Sequence, residues 1–224
     1  MNASIFIIDD DPHMRRAISR LLSSYSYNVK SFASASEFLG EELPSGPACL
    51  ILDLKMPDIN GLDVQRVLAQ GETNLPIIFV SGRADVISSV RAMKAGAVDF
   101  LTKPFDDKSL ISAIQVALAR AQKTTEDRAA LKRDQEAFKK LTPREREVCV
   151  RVARGLLNKQ VGFELGTTEK TVKAQRARVM QKLGAETLAD VVRLVERLRA
   201  AGAIAPTPTA AGHPPQVRAA SAKG

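Results

Sequence analysis

Apolar residues along the first 120 positions fall into short runs separated by segments with helical spacing. Five such runs cover residues 4–8, 29–32, 49–52, 76–80 and 99–101, and those at 4–8, 49–52 and 76–80 are continuous and almost wholly apolar. Between them, apolar positions recur every three or four residues, as in the stretch that carries Met14, Ile18 and Leu22. Strands that alternate with helices predict a parallel sheet, and continuous apolar strands indicate that both sheet faces are covered. We therefore expect a doubly wound α/β domain of five strands and five helices over residues 1–121.

A long helical pattern over residues 107–141 follows this domain. Its apolar stripe is dense up to Ala121 and then thins among charged residues and Gln. We interpret residues 122–140 as a mostly exposed helical linker that continues the last helix of the first domain.

A capping box marks the start of a second domain. Residues 142–145 read Thr-Pro-Arg-Glu, with proline at the first helical position. Later helical segments are predicted at residues 159–165, 169–183 and 188–201. The sequence thus predicts an all-α domain of four helices over residues 141–202. Residues 203–224 are rich in Ala, Pro, Thr and Gly without periodicity, which predicts a disordered tail.

Composition excludes several classes of protein. Hydrophobic residues make up 45% and charged residues 26% of the 224 positions, which is typical of globular proteins. No apolar run approaches the roughly 18 residues that a membrane span needs, and no signal-peptide pattern precedes Asp9. Cys49 and Cys149 lie far apart inside apolar segments, which excludes a disulfide scaffold. We expect a cytoplasmic protein with no membrane partner.

The formal net charge of +8 is unevenly distributed along the chain. Residues 1–122 hold 12 Lys and Arg against 14 Asp and Glu, whereas residues 123–224 hold 21 against 11. A basic second half indicates either a nucleic-acid partner or simply a solvated helical surface with excess charge. Charge alone does not decide between these two interpretations.

Polar side chains follow four of the five predicted strands, at the edge where open α/β sheets bind ligands. They are Asp9 and Asp10 after the first strand, Asp53 after the third, Ser81 after the fourth and Lys103 after the fifth. Three crowded carboxylates call for a cation, and oxygen ligands without His or Cys favour Mg²⁺. Alternatively, each of these residues is only a polar loop or capping residue. Their recurrence at strand ends favours a shared site.

Phosphoryl transfer is the chemistry that this set suggests. An aspartate can form an aspartyl-phosphate, and Mg²⁺ with Lys103 would offset the charge of the transferred group. Ser81 would then donate a hydrogen bond to a phosphoryl oxygen.

The first domain resembles the receiver domain of two-component response regulators over residues 3–121. The resemblance rests on Asp9-Asp10, on residues 52–57 (Leu-Asp-Leu-Lys-Met-Pro), Ser81-Gly82, 92–97 (Ala-Met-Lys-Ala-Gly-Ala) and 103–105 (Lys-Pro-Phe). It implies the flavodoxin-like strand order 2-1-3-4-5.

The same resemblance implies a role for each residue of the set. Asp53 would be the phospho-acceptor, and Asp10 with Asp53 and the backbone carbonyl of Lys55 would coordinate Mg²⁺. Asp9 would act on the ion through water. Ser81 would occupy the hydroxyl position of the switch and Phe100 its aromatic position, although Phe100 lacks the hydroxyl of a tyrosine.

A helix-turn-helix is predicted in the second domain, where residues 159–165 and 169–183 flank the turn Gly166-Thr167-Thr168. At 100° per residue, Val172, Val179 and Leu183 share one face of the longer helix. The opposite face carries small residues flanked by cations, which suits contact with bases and phosphates. The expected DNA-contacting residues are Lys170, Thr171, Lys173, Ala174, Ala177 and Arg178, with Arg176 nearer the buried face. The alternative is an amphipathic helix that is merely solvated.

This second segment is similar to a LuxR-type output domain over residues 141–199. The similarity rests on residues 141–148, 155–161, 169–173 and 179–184, and Gly162 departs from the small Ala-like residues common there. It implies that part of the apolar face of the last helix, residues 188–198, pairs two output domains on DNA. Core packing alone is the other explanation of that face.

Together the two similarities imply a transcription regulator of the FixJ/NarL class, switched when a sensor histidine kinase phosphorylates Asp53. We expect double-stranded DNA as partner, a homodimer when phosphorylated, and no enzymatic activity beyond self-phosphorylation and self-dephosphorylation. Two alternatives remain at this point. One is a Mg²⁺-dependent phosphohydrolase, and the other is a constitutive DNA-binding protein whose receiver fold is only structural.

Overall fold

Five parallel strands form the sheet of the first half of the chain. They are β1 (Ser4–Ile8), β2 (Asn28–Phe32), β3 (Ala48–Asp53), β4 (Ile77–Ser81) and β5 (Asp99–Thr102). Their order in the sheet is β2-β1-β3-β4-β5, which confirms the expected flavodoxin-like topology. All residues of β1, β3 and β4 are buried, because helices cover both faces of a sheet of this kind.

The computed structural model describes residues 3–44, 46–57, 59–71, 75–82 and 86–205. Packing divides the chain into two compact units, residues 1–128 and 129–224. Most of the predicted disordered tail, from position 206 onward, lies outside the described residues. Among the helices in the described part of the chain, none is long and apolar enough to cross a membrane.

Helices alternate with the strands in the first unit. They are α1 (Pro12–Ser24), α2 (Ala35–Leu39), α3 (Gly61–Gln70), α4 (Val86–Lys94) and α5 (Asp107–Lys139). Side chains cap the first three: Asp11, Ser34 and Asn60 each accept a hydrogen bond from an amide in the first turn. The caps explain why these helices begin immediately after the loops at the carboxyl edge of the sheet.

Two hydrophobic cores lie on the two faces of the sheet, since successive side chains of a strand point to opposite sides. Phe6, Leu50 and Phe79 belong to the core that also includes residues of α2, α3 and α4. Ile7 and Ile51 belong to the other core, with residues of α1 and α5. Truncating such a fully buried side chain to Ala costs roughly 2–5 kcal/mol.

Helix α5 is continuous from Asp107 to Lys139 and therefore includes the predicted linker. Residues 125–129 are exposed, as expected for a linker. Beyond them, Leu131 and Phe138 pack against the core of the second unit, and Asp134 forms an ion pair of 2.7 Å with Arg197. The last two turns of α5 therefore belong to the packing of the second unit, which the thin apolar pattern of the linker did not reveal.

Four further helices complete the second unit: α6 (Pro143–Ala153), α7 (Asn158–Glu164), α8 (Glu169–Leu183) and α9 (Leu188–Ala200). Thr142 and Glu145 form the predicted capping box of α6, and Gly184 ends α8 with a left-handed backbone at φ 63°. The predicted all-α domain with a helix-turn-helix is thereby confirmed.

The apolar face of α9 is used within the chain itself. Val191, Leu194, Val195 and Leu198 are buried in the core that α9 forms with α6 and α8. Leu188 and Val192 of the same face are only half-buried. Core packing therefore accounts for most of the pattern, and pairing of two output domains through the remaining part stays a prediction.

Candidate functional site

An acidic cluster lies at the carboxyl edge of the sheet, where β1 and β3 end. Carboxylate oxygens of Asp9, Asp10 and Asp53 all lie within 4.8 Å of one another. Asp9 is fully buried, Asp53 is 7% exposed and Asp10 is exposed. The parallel register of β1 and β3 brings these side chains together from positions more than forty residues apart.

Lys103 joins two members of the acidic cluster. Its ammonium group donates to Asp9 Oδ2 and to Asp53 Oδ2, each at 2.7 Å. Burial lowers the pKa of Lys103, but its hydrogen bonds to Asp53 and Asp9 outweigh this, and the pKa is raised above its ordinary value. Lys103 therefore stays charged near neutral pH.

Backbone amides hold the other oxygens of the same two carboxylates. The amide of Asp11 donates to Asp9 Oδ1 at 2.9 Å, and the amide of Lys55 donates to Asp53 Oδ1 at 3.1 Å. The pKa of Asp9 is nevertheless raised, because burial of its carboxylate outweighs the hydrogen bond from Lys103. A further positive charge near Asp9 would relieve this cost.

The oxygen atoms of the three carboxylates are the type of ligand that a hard divalent cation such as Mg²⁺ prefers. Asp9, Asp10 and Asp53 offer oxygen donors alone, and the two buried carboxylates are opposed by the single ammonium group of Lys103. The pKa of Asp9 is raised mainly by burial, and a divalent ion bound beside it would favour the ionised carboxylate.

Ser81 and Phe100 lie on β4 and β5, beside this edge. Ser81 is 1% exposed, and its carbonyl accepts a hydrogen bond of 2.8 Å from the amide of Lys103. Phe100 is half-buried and stacks on Phe79, with ring centroids 6.3 Å apart. The structure thus brings Lys103 into contact with the acidic cluster, as the strand-end pattern predicts, and places Ser81 at the end of the strand β4 that neighbours β3.

Gly61 lies directly beside Asp53, although the sequence pattern identifies it only as the first residue of a helix. A Cβ atom at this position would lie 2.6 Å from the carbonyl oxygen of Asp53 and 3.1 Å from Leu54 Cα. Helix α3 can begin this close to the end of β3 only without a side chain at its first residue. Its sequence position, eight residues after Asp53, gives no sign of this contact.

Helix α8 exposes the face that was predicted to contact DNA. Val172 and Val179 are buried, and Leu183 is half-buried. The predicted contact residues on the opposite face are all exposed: Lys170, Thr171, Lys173, Ala174, Ala177 and Arg178. The helical periodicity therefore predicts correctly which face of α8 is buried and which is exposed.

Two polar contacts hold α8 against its neighbours. Half-buried Arg176 donates to Asn158 Oδ1 at the start of α7, at 3.4 Å. Lys182 donates to Glu145 Oε2 of α6 at 2.7 Å, and Glu145 is buried. Arg176 thus contacts the protein itself, which accords with its predicted place near the buried face. The role of Lys182 was missed, because its partner lies 37 positions away.

Gly162 allows α7 to approach the turn of the helix-turn-helix closely. A Cβ atom there would lie 2.9 Å from the carbonyl oxygen of Thr167, and the carbonyl of Gly162 accepts a hydrogen bond from the Thr167 amide. The departure from the family pattern at this position is thus explained by tight packing.

A sheet edge with an acidic cluster and a bridging lysine, followed by a helix-turn-helix with a basic exposed face, defines the class of transcriptional response regulators. Residues 5–115 match the family Response regulator receiver domain, and residues 139–195 match Bacterial regulatory proteins, luxR family. The chain therefore belongs to the response regulators that join a receiver domain to a LuxR-type DNA-binding domain.

Similar proteins agree with this assignment over most of the chain. Nodulation protein W of Bradyrhizobium diazoefficiens is 44% identical over 196 residues, which are 88% of this chain and 86% of that protein. Transcriptional regulatory protein FixJ of Azorhizobium caulinodans is 35% identical over 205 residues, 92% of this chain and 97% of that protein. The solved structure of response regulator StyR is 38% identical with a TM-score of 0.75, covering 88% of this chain and all of that one.

The family decides between the functions that the sequence left open. The protein is a DNA-binding regulator of a two-component system, and its receiver domain implies a histidine kinase as partner. Neither the phosphohydrolase nor the constitutive DNA-binding protein finds support in these similarities.

Proposed function

We propose that Asp53 accepts a phosphoryl group from a phosphohistidine of the sensor kinase. An oxygen of Asp53 attacks the phosphorus, the phosphorus–nitrogen bond breaks, and the electron pair remains on the histidine ring, which takes up a proton. One observation supports Asp53 among the three carboxylates: it contacts Lys103 and, unlike Asp9, keeps a small exposed fraction of 7%. Asp9 contacts Lys103 but is fully buried, and Asp10 is exposed without that contact.

Lys103 and Ser81 support this transfer in the proposal. The ammonium group of Lys103 lies 2.7 Å from Asp53 Oδ2 and would offset the negative charge that the phosphoryl group brings. The hydroxyl of Ser81, at the end of the neighbouring strand, would donate a hydrogen bond to a phosphoryl oxygen.

The proposed cofactor is Mg²⁺, held by Asp10, Asp53 and the backbone carbonyl of Lys55, with Asp9 acting through water. When bound, the ion would supply positive charge to the phosphoryl oxygens in the transition state. The remaining activity that we propose is modest: self-phosphorylation from small phosphodonors and self-dephosphorylation.

Labelling with acetyl phosphate in the presence of Mg²⁺ tests the acceptor. Wild-type protein should gain one phosphoryl group by intact mass, and Asp53→Asn should gain almost none. Asp63→Asn, which removes an exposed carboxylate of α3, serves as the matched control and should label normally. Equal labelling of Asp53→Asn and wild type would contradict the assignment.

We further propose that the exposed face of α8 binds double-stranded DNA. Lys170, Thr171, Lys173 and Arg178 would contact phosphates or base edges, and the small side chains of Ala174 and Ala177 would permit close approach to the bases. Arg176 would contribute by holding α7 against α8. Exposure of this basic face in the described structure supports the proposal.

A homodimer of the phosphorylated protein is the remaining part of the proposal. Helix α4 carries an apolar stripe on its solvent side: Val86 and Ile87, followed by Val90 and Met93, with exposed fractions between 45% and 76%. The spacing of three or four residues places Val86, Val90 and Met93 on one side of the helix. We propose that this stripe pairs with its copy, so that two output domains bind a two-fold operator together.

A further inference from the structure

Arg15 of helix α1 donates hydrogen bonds to the loop that carries Asp9 and Asp10 of the acidic cluster. Its Nη1 donates to the carbonyl oxygen of Asp9 at 2.6 Å and to the carbonyl oxygen of Asp10 at 3.0 Å. The side chain is half-buried beside the loop, six positions along the chain from Asp9. The phosphorylation chemistry proposed above assigns no role to this residue.

The two carbonyls that Arg15 contacts belong to the peptide planes on either side of the Asp10 Cα atom. A peptide group is planar, so fixing both planes fixes φ and ψ of the residue between them. The direction of the Asp10 Cα–Cβ bond is therefore held by Arg15, and this direction limits the region that the carboxylate can reach.

Asp10 needs such a constraint more than the other two carboxylates do. Asp9 and Asp53 are each held by a backbone amide and by Lys103. The carboxylate of Asp10 is exposed and accepts no hydrogen bond from the other described residues. The main chain is thus the means by which the fold positions this carboxylate.

We propose that Arg15 is a positioning residue for metal binding: it holds the backbone around Asp10 so that the carboxylate meets a divalent cation at the acidic cluster. The inference rests on the proposed function, because it assumes that the cluster binds the ion that phosphorylation needs. The guanidinium also brings a permanent positive charge to the loop. Geometry and charge make different predictions for Arg15→Lys, since lysine keeps the charge but lacks the planar arrangement of donors.

Titration calorimetry with Mg²⁺ on the full chain tests the proposal. Arg15→Gln should weaken Mg²⁺ binding by roughly tenfold or more, the usual effect of removing a group that orients a metal ligand. Arg15→Lys should recover only part of the affinity. Arg16→Gln is the control with the same charge change, because Arg16 is exposed and contacts only His13 among the described residues. It should bind Mg²⁺ like wild type.

Labelling kinetics separate positioning from general damage to the fold. In Arg15→Gln, the Mg²⁺ concentration for half-maximal labelling by acetyl phosphate should rise, whereas the rate at saturating Mg²⁺ should approach that of wild type. The thermal unfolding temperature without metal should change little. A lower maximal rate with unchanged Mg²⁺ affinity, or equal effects of Arg15→Gln and Arg16→Gln, would overturn the proposal. Failure of wild-type protein to label at any Mg²⁺ concentration would instead refute the proposed function.

Discussion

The ammonium group of Lys182 lies 2.7 Å from the carboxylate of Glu145, and this ion pair joins helix α8 to helix α6. Glu145 also accepts a hydrogen bond of 2.8 Å from the amide of Thr142, so one buried carboxylate serves a helix cap and an interhelical contact at once. The hydrogen bond from Lys182, with that from the Thr142 amide, holds the pKa of Glu145 below its ordinary value. The buried carboxylate of Glu145 therefore helps to hold α8 against α6.

Replacing Lys182 with Met should destabilise the output domain. The change leaves the buried carboxylate of Glu145 without its cation, which is the costly way to break such a pair. We expect the thermal unfolding temperature of the output domain to fall by a few degrees at pH 7. The loss should be smaller at pH 3, because the stability that a lowered carboxyl pKa contributes is lost as the pH falls below the ordinary value of 4.5. Lys173→Met, on the exposed face of the same helix, should leave the unfolding temperature nearly unchanged. Equal losses in both variants would show that the pair is not stabilising.

The capping box of α9 predicts a pH dependence of stability. Hydrogen bonds from the amide and hydroxyl of Thr187, with one from Arg193, lower the pKa of Asp190 from 3.8 to about 2. A lowered carboxyl pKa contributes stability above pH 3.8 that is lost as the pH falls toward 2. Urea unfolding from pH 7 to pH 2 should show this loss, and Asp190→Asn should reduce it. An unchanged pH profile in Asp190→Asn would contradict the prediction.

Gly162→Ala should destabilise the helix-turn-helix although alanine favours helices by about 1 kcal/mol over glycine. The added Cβ would lie 2.9 Å from the Thr167 carbonyl, which must move with the turn. Gly40→Ala is the control, because its nearest contact would be an ordinary 3.8 Å. Chemical unfolding monitored by circular dichroism measures both variants. A gain in stability for Gly162→Ala would show that the turn accommodates the methyl group.

Lys173→Ala should weaken binding to duplex DNA and make its salt dependence shallower. A lysine that neutralises one phosphate releases about one counterion, so the slope of log K against log salt should fall by roughly 0.9. Binding isotherms on a mixed-sequence duplex at several salt concentrations measure this. Lys108→Ala makes the same charge change on the receiver and should leave the slope unaltered. Equal slopes for Lys173→Ala and wild type would show that this lysine touches no phosphate.

Val90→Glu should prevent the proposed pairing through α4. Beryllofluoride mimics the phosphoryl group, and we expect it to shift wild-type protein toward dimers in sedimentation velocity and to tighten binding to a palindromic duplex. A charge in the centre of the apolar stripe opposes burial against a copy. Val67→Glu is the matched control, since Val67 on α3 is 46% exposed and Val90 is 45% exposed. Tighter DNA binding without self-association in the wild type would argue against the dimer.

The sequence by itself determined the order and type of the elements and which residues the acidic cluster contains. Continuous apolar strands and helical periodicity are local signals, and strand-end residues share an edge whenever strands are parallel. The same local reasoning oriented α8, because Val172 and Val179 lie on one side of any regular helix.

Tertiary structure alone decided how these parts are held. Three contacts depend on the path of the backbone or on partners distant in sequence. They are the hydrogen bonds from Arg15 to two carbonyl oxygens, the contact of Gly61 with Asp53 and the ion pair Lys182–Glu145. It also decided that most of the apolar face of α9 packs within the chain, whereas an amphipathic pattern alone does not show what covers such a face. Periodicity records that a side chain is covered, whereas only the packed structure shows what covers it.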